Sequence, residues 1–600
     1  MKASAAYLEN LTTYKMSDLL NSASLVMIPS GYKEDTVYSV VPSDGSGDLS
    51  FTRASNGTRV NSAGLVEVVP WNLFGNSEDG TSGQWGNPVN IASVTLNSTT
   101  APNGTNTGNL VVENSANGNH WFEPSFASIN GTPYTISAYF KAKERTQCAL
   151  YGFSDNGVFS QQQVIFDLST GTVVSQSGTQ TNAIENVGNG WYRCSMTITA
   201  NASSAAYFGN GLANAGSTSY AGNGTSGLYM WGRQLNTGTL KPYFPTTDRL
   251  NVPRLTYQNG GGGCPSLLLE KQSTNEANYS QQFDDSYWAK NNQSVTANAT
   301  TSPDGTQNAD LLIPSAGSGD HYLLSGTISN VSGQVVTLTL FVKKKENDYF
   351  YFGTGGASAF GAVVYQFSTN TFVVSGLSAT ATNFGNGWIR LSITGTTGAT
   401  DLRFLFTPTD STGSRTYNAN GTDGTYIWGA QAEASSYPTS YIPTTSSSAT
   451  RVADACFKTG ISSLIGQTSG VIFIDLKINA TQASDQYFMQ ISDGTNSNTI
   501  YIGLYDIYGL FRVVYGGSEV VNINPTLTIG NRYKFAIKYA NNSVKAFSNG
   551  SLIGTDTSAS IPTCSKLEFN YNGGACYQIN DAILFPTSLT DAECQALTTL

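Results

Sequence analysis

The middle of this chain is written twice. Gly188-Asn189-Gly190-Trp191-Tyr192-Arg193 returns as Gly385-Asn386-Gly387-Trp388-Ile389-Arg390, 197 positions later (388 − 191). Leu228-Tyr229-Met230-Trp231-Gly232-Arg233-Gln234 returns at the same spacing as Thr425-Tyr426-Ile427-Trp428-Gly429-Ala430-Gln431. That period exceeds the roughly 20–50 residues of a solenoid unit and has the size of a domain. Two tandem copies of one globular module follow, with further sequence on both sides.

The copies read as 71–247 and 275–445, with 1–70 ahead of them, 248–274 between them and 446–600 behind. Tyr134, Ile136, Ala138 and Phe140 alternate with polar or small residues, as do Val336, Leu338, Leu340 and Val342 in the second copy. A period of two, kept while the letters change, marks a strand with one face on a core. Short apolar runs parted by Gly and Asn turns, over roughly 175 residues, predict a β-sandwich or jelly roll. Trp231 and Trp428 are expected to plug it. The fold class is therefore all-β, with tandem sandwich or jelly-roll domains behind a short N-terminal segment that is irregular or helical, its helix falling over 5–20. Gly260-Gly261-Gly262-Gly263 lacks the Lys-Ser or Lys-Thr of a phosphate loop and reads as a tight backbone crossing.

Composition narrows the partners. Only 12% of residues are charged and the net charge is −10, which argues against nucleic acid or an anionic membrane, both of which favour basic patches. Nothing resembles an apolar run long enough to span a bilayer, and no signal peptide is expected from Leu25-Val26-Met27-Ile28, which stops at Pro29. Seven cysteines without tight spacing make neither a disulfide framework nor a zinc signature. Cys148 and Cys194 could lie on neighbouring strands, but buried apolar roles fit better, and assembly in a reducing cell interior is expected.

In the last 150 residues, Asn549-Gly550 sits between two alternating runs, a strong hairpin signal. Ile579-Asn580-Asp581-Ala582-Ile583-Leu584-Phe585 reads as a strand, and the end reads as a short helix capped by Ser588 or Thr590. These phrases resemble the concanavalin A-like, laminin G-type jelly roll, which implies glycan or protein binding through edge loops. Calcium often accompanies that family, yet no dense aspartate cluster fixes a site here; no other cofactor is expected. The central copies look like the carbohydrate-binding-module sandwiches of bacteriophage structural proteins. Phe51 to Val60, Gly263 to Glu270, and Pro29-Ser30-Gly31-Tyr32-Lys33 with Tyr38-Ser39-Val40 resemble connectors of phage fibre and spike proteins, particularly of crAss-like phages of gut Bacteroidetes. The resemblance implies a virion head or tail fibre, assembled in the host cytoplasm. It also implies a homotrimer, joined to capsid or tail proteins through residues 1–70 and to host surface glycans at its other end.

The chemistry-bearing residues are few. The two histidines, His120 and His321, occupy matching phrases, Gly-Asn-His-Trp and Gly-Asp-His-Tyr. With Trp121 and Tyr322 they could stack on and hydrogen-bond a sugar; the plainer reading is an imidazole at a strand end. Asn570 and Tyr571 in the last unit form a further carbohydrate-binding pair, since sugar sites combine aromatic faces with amide hydrogen bonds. No duplicated Ser-His-Asp or metal set is visible, so no catalytic or metal residue is named and no enzyme is expected. The function expected is a virion fibre protein that displays glycan-binding sandwiches. A purely structural decoration and, further off, a capsule depolymerase with paired carboxylates are the alternatives.

Overall fold

The computed structural model describes residues 16–153, 157–159, 161–398 and 401–600. Of the helix expected over 5–20, only Met16–Asn21 falls within them and is helical; the rest lies outside the described residues. The chain is almost entirely strand. It divides into two compact units: 68–249 with 296–311, and 1–67 with 250–295 and 312–600.

Module 1 is a two-sheet sandwich. One sheet runs in the order Thr181–Gly188, Trp191–Thr199, Pro133–Lys141, Gly227–Thr237, Gly108–Glu113, Ile91–Thr99. The other contains Thr172–Ser177, Gln162–Asp167, Gln147–Phe153, Ala205–Ala213 and Asn117–Glu123. The alternating face of Pro133–Lys141 supplies Tyr134, Ile136, Ala138 and Phe140 to the core between them. Module 2 repeats the order: Ser378–Gly385, Trp388–Thr396, Val335–Lys344 and Thr425–Glu433 in one sheet, Thr371–Ser375, Ala362–Gln366, Tyr349–Gly355, Arg403–Thr409 and Tyr322–Leu324 in the other. Its core takes Val336, Leu338, Leu340 and Val342.

The repeated Trp-Gly phrase has a structural cause. The ladder slips between Ser137 and Tyr139 in one copy and between Thr339 and Phe341 in the other, forming a β-bulge. Gly232 and Gly429 take the required positive φ, +61° and +65°. The bulge turns Trp231 and Trp428 away from the inter-sheet core, contrary to expectation. Trp231 packs instead with Tyr139, Trp191 and Tyr243, and Trp428 with Phe341 and Tyr441, under each module's closing segment. Cys148 and Cys194 take the buried apolar role expected of them: they face each other across the core from opposite sheets, their sulfurs 3.9 Å apart with no disulfide.

The last sandwich is assembled from distant pieces of chain. One sheet is ordered Leu255–Thr256, Ser266–Leu269, Cys576–Phe585, Ser469–Ala480, Arg532–Ala540, Ser543–Ser548, Ser551–Asp556, with Leu25–Met27 also pairing with Cys576–Phe585. The other contains Leu49–Thr52, Ala455–Thr459, Lys566–Phe569, Gln486–Ser492, Thr499–Tyr505, Tyr508–Tyr515 and Ser518–Ile523. Stretches read from sequence as connectors, Phe51 to Val60 and Gly263 to Glu270, are thus partly sheet strands, because Phe51, Leu267 and Leu269 enter the core, as do Leu25 and Met27. The Asn549-Gly550 turn has both residues at positive φ, +47° and +81°, as a two-residue hairpin needs. Thr590 and Glu593 close a capping box on the final helix, Asp591–Thr598.

Three arginines converge beside Gly57, where an added Cβ would lie 3.0–3.3 Å from Arg53, Arg254 and Arg451. Arg53 pairs with Asp454 at 2.9 Å, and Arg254 pairs with Glu270 at 2.7 Å and also with Asp454. All five side chains are buried. Burial alone would raise the Glu270 carboxyl, but Arg451 and Arg254 hold it well below the usual carboxylate range. Burial pushes Arg53 down to about 10, against the pull of Asp454. Each arginine follows a separate stretch of chain, so this hub joins the N-terminal segment, the inter-module link and the start of the last sandwich. The tetraglycine near it is a close crossing: a Cβ on Gly64 would lie 2.3 Å from Gly260.

Candidate functional site

The duplicated histidines are interior posts. His120 is fully buried, with Nδ1 2.9 Å from the Asn90 carbonyl and Nε2 3.2 Å from that of Tyr220. His321 repeats this with the carbonyls of Asn292 at 2.7 Å and Tyr417 at 3.2 Å. With both ring nitrogens occupied and no exposed face, neither can stack on a sugar; each ties the backbone at Asn90 or Asn292 to the strand that carries Tyr220 or Tyr417. Trp121 is also largely withdrawn: its ring lies 3.9 Å from Tyr151, and its Nε1 donates to Glu123. Tyr322 is half-buried beneath the Arg415 guanidinium, 5.3 Å from its ring. Asn570 is corrected too. It is buried in the left-handed region, donates to the Asp454 carbonyl and accepts from Ala575, which makes it a turn clamp.

Tyr571, by contrast, belongs to an aromatic surface. On Thr499–Tyr505, Ile500, Ile502 and Leu504 point into the core, so Tyr501, Gly503 and Tyr505 share the opposite face, where Tyr505 is exposed and Tyr501 and Gly503 are covered. Tyr487 lies across from Gly503 and stacks near Tyr501, with ring centroids 4.6 Å apart. Tyr571 meets Tyr487 edge-on at 5.3 Å. Arg512 stands opposite Tyr501, and Tyr508 opposite Tyr505. Tyr505 and Tyr508 are 44% and 47% exposed, high for such large rings. Gly503 supplies the flat floor, since a Cβ there would lie 2.4 Å from the Gln486 carbonyl. Burial raises the phenols of Tyr487 and Tyr501, leaving both as neutral O–H groups. Arg512 is held by Glu519 at 2.9 Å, by Asn524 at 2.5 Å and by the Ile523 carbonyl at 3.2 Å, so it is a buried, fixed cation that props the border of the face. Flat rings beside fixed polar groups suit a ligand with one apolar and one hydroxylated face.

Apart from Tyr571, the sequence reading missed this surface. Its signal was present: Tyr-Ile-Gly-Leu-Tyr at 501–505 alternates strictly, which assigns the tyrosines to one face.

Module 1 has a cleft of about 360 Å³ bordered by the loop Gly80–Gly86, by Asn87, Ile91, Ser93 and Val94, and by Phe122. Behind it Trp85 is buried, its Nε1 donating to the Asn76 carbonyl at 2.8 Å. The Arg233 guanidinium lies 4.8 Å from the Trp85 ring and 4.7 Å from Phe74. It makes no side-chain hydrogen bond, and burial pushes it down to about 9. Among the described residues, no group of three or more His, Cys, Asp or Glu is placed to hold a metal ion. No helix among them is long and apolar enough to cross a membrane.

No family model and no curated protein matches this chain. Several solved structures do. The CBM40 of the Ruminococcus gnavus IT-sialidase, bound to α2,3-sialyllactose, is 19% identical over 24% of this chain and 91% of that one, with a TM-score of 0.20. The CBM22-1–CBM22-2 tandem of Paenibacillus barcinonensis Xyn10C is 12% identical over 64% of this chain and 98% of that one, at 0.19. Trypanosoma rangeli sialidase is 9% identical over 85% and 98%, at 0.20. At such scores function has to be read from this chain's own residues.

Proposed function

We propose that this is a non-catalytic, glycan-binding fibre protein of a bacteriophage virion, whose last sandwich contacts carbohydrate through the tyrosine face. The observation that carries the binding reading is the exposed pair Tyr505 and Tyr508 beside the half-buried Tyr487 and Tyr571, all backed by the buried Tyr501 and bordered by Arg512. The virion assignment rests on the resemblance of the phrases around 51–60 and 263–270 to phage connectors. The duplicated sandwiches serve as the body, and attachment to capsid or tail proteins falls to the N-terminal segment. Weak single sites become useful on a particle because later contacts form at high effective concentration.

A glycan array probed with the full chain tests this reading. Binding to a defined set of glycans that is lost in Tyr487→Ala and Tyr571→Ala is expected. Silence on every glycan would favour a purely structural decoration, and shortening of capsular polysaccharide would favour a depolymerase. Electron microscopy of particles labelled with antibody to the chain tests the virion placement.

A further inference from the structure

Cys148 and Cys194 meet inside module 1 from opposite sheets, on the strands Gln147–Phe153 and Trp191–Thr199. Their sulfurs are 3.9 Å apart, and both residues are fully buried. Packed sheets usually stand about 10 Å apart, yet Cα atoms of these two strands approach within 8 Å. Small side chains permit the approach, since Ala138 lies across the ladder from Cys194. Module 2 fills the same three places with Phe350, Leu391 and Leu340, all buried in its core. Both thiols are thus absent from module 2 together.

We infer that Cys148 and Cys194 form a cross-core disulfide when module 1 folds, or reopens, in the presence of glutathione disulfide, and that this clasp is confined to module 1. A disulfide holds its sulfurs at about 2.05 Å, so roughly 1.9 Å remains to be closed by two side chains that already face each other. One cysteine thiolate attacks a sulfur of glutathione disulfide, breaking its S–S bond and releasing one glutathione thiolate. The second cysteine thiolate attacks the protein sulfur of the mixed disulfide and releases the other glutathione. Two electrons pass from the cysteines to glutathione, and the two cysteine protons end on the two glutathione thiols. In the closed module neither sulfur is reachable. Burial, with Cys194 beside it, also holds the Cys148 thiol well above its ordinary range. A chain folded in a reducing cell therefore stays reduced, and the clasp closes where the module folds or opens among disulfides. The bridge joins residues 46 positions apart (194 − 148) and ties one sheet to the other, where module 2 relies on packing alone.

The test makes the full chain by cell-free synthesis with either glutathione disulfide or dithiothreitol present, in a Cys264→Ser background that removes the exposed thiol. Mass spectrometry of peptides from the oxidised product recovers the segments containing Cys148 and Cys194 joined, two hydrogens lighter than their sum. Free thiols fall from six (7 − 1) to four (6 − 2). The melting of module 1, followed by hydrogen exchange at its strands, rises by about 5–15 °C over the dithiothreitol product. Cys148→Ala and Cys194→Ala each abolish that difference between the two preparations, whatever either substitution does to core packing. The inference falls if the two cysteines stay free in the oxidised product, if they carry glutathione or pair with other cysteines, or if their link lowers the melting temperature.

Discussion

Modules 1 and 2 keep the same polar framework and exchange their core contents. Asn72 donates to the carbonyls of Arg233 and Phe244, and Asn275 donates to those of Ala430 and Ile442. The histidine posts, the bulge glycines and the anchored tryptophans are likewise repeated. Against the indole, however, module 1 places a guanidinium and module 2 a phenyl ring. Ala277 and Ala430 stand in module 2 where module 1 has Phe74 and Arg233, and Phe406 stands where module 1 has Asn210. Hydrogen bonds that fix irregular backbone have few substitutes, since each lost partner leaves a buried group unsatisfied. Core volume can be redistributed among neighbours, provided the total is kept. The duplication therefore preserved its anchors and varied its filling.

The comparison breaks most sharply at Phe283. Phe283→Ala should cost module 2 about 3–5 kcal/mol, read by chemical denaturation, whereas Gly80→Ala in module 1 should cost less than about 1 kcal/mol. Next come the clamps. Asn72→Ala and Asn275→Ala should each cost about 2–4 kcal/mol, and by similar amounts, because each strands two carbonyls and two N–H groups. Unequal losses would show that the anchors are not equivalent.

Arg233 gives a change of opposite sign. Replacing an unpaired buried cation with an apolar residue of similar length, Arg233→Met, should stabilise module 1 by about 1–3 kcal/mol. Burial lowers the folded-state value to about 9, below that of a free guanidinium, so the folded form releases its proton first. The penalty is then fully present below pH 9 and relieved as pH rises above it; the variant should lack that rise. Ala430→Arg should destabilise module 2.

The smallest effect serves as a control outside both copies. Asp581 lies opposite Asp475 in the last sandwich, and burial, with the Asp475 charge, raises it to about 7, against the attraction of Lys534 and Arg532. A carboxyl raised in the folded state favours folding when protonated, so its contribution declines between pH 4 and 7. Asp581→Asn should flatten that decline and gain about 1 kcal/mol at pH 8, with neither module changed.

The sandwich class was legible because alternation reports a half-buried strand whatever its letters. Val336, Leu338, Leu340 and Val342 say it as clearly as Tyr134, Ile136, Ala138 and Phe140. The Trp231 and Trp428 positions were misread because a one-residue bulge shifts the face of everything on its far side, and alternation cannot show it. The histidines were singled out for rarity and aromatic neighbours, features that an interior post shares with a sugar platform. The arginine hub escaped notice because its members, Arg53, Arg254, Glu270, Arg451 and Asp454, are spread over four hundred positions and no local pattern joins them. The exchange of core filling was within reach: counting five back from Trp85 and Trp288 sets Gly80 against Phe283.

The pairing of Leu25–Met27 with residues 582–584 has a consequence for synthesis. Leu25–Met27 gains this ladder only once residue 584 has left the ribosome; until then Val26 has its bridge to Val41 alone, while both modules fold. A chain interrupted before that point would hold finished modules and an unfinished sandwich with bare edges, the kind of surface that chaperones and proteases recognise.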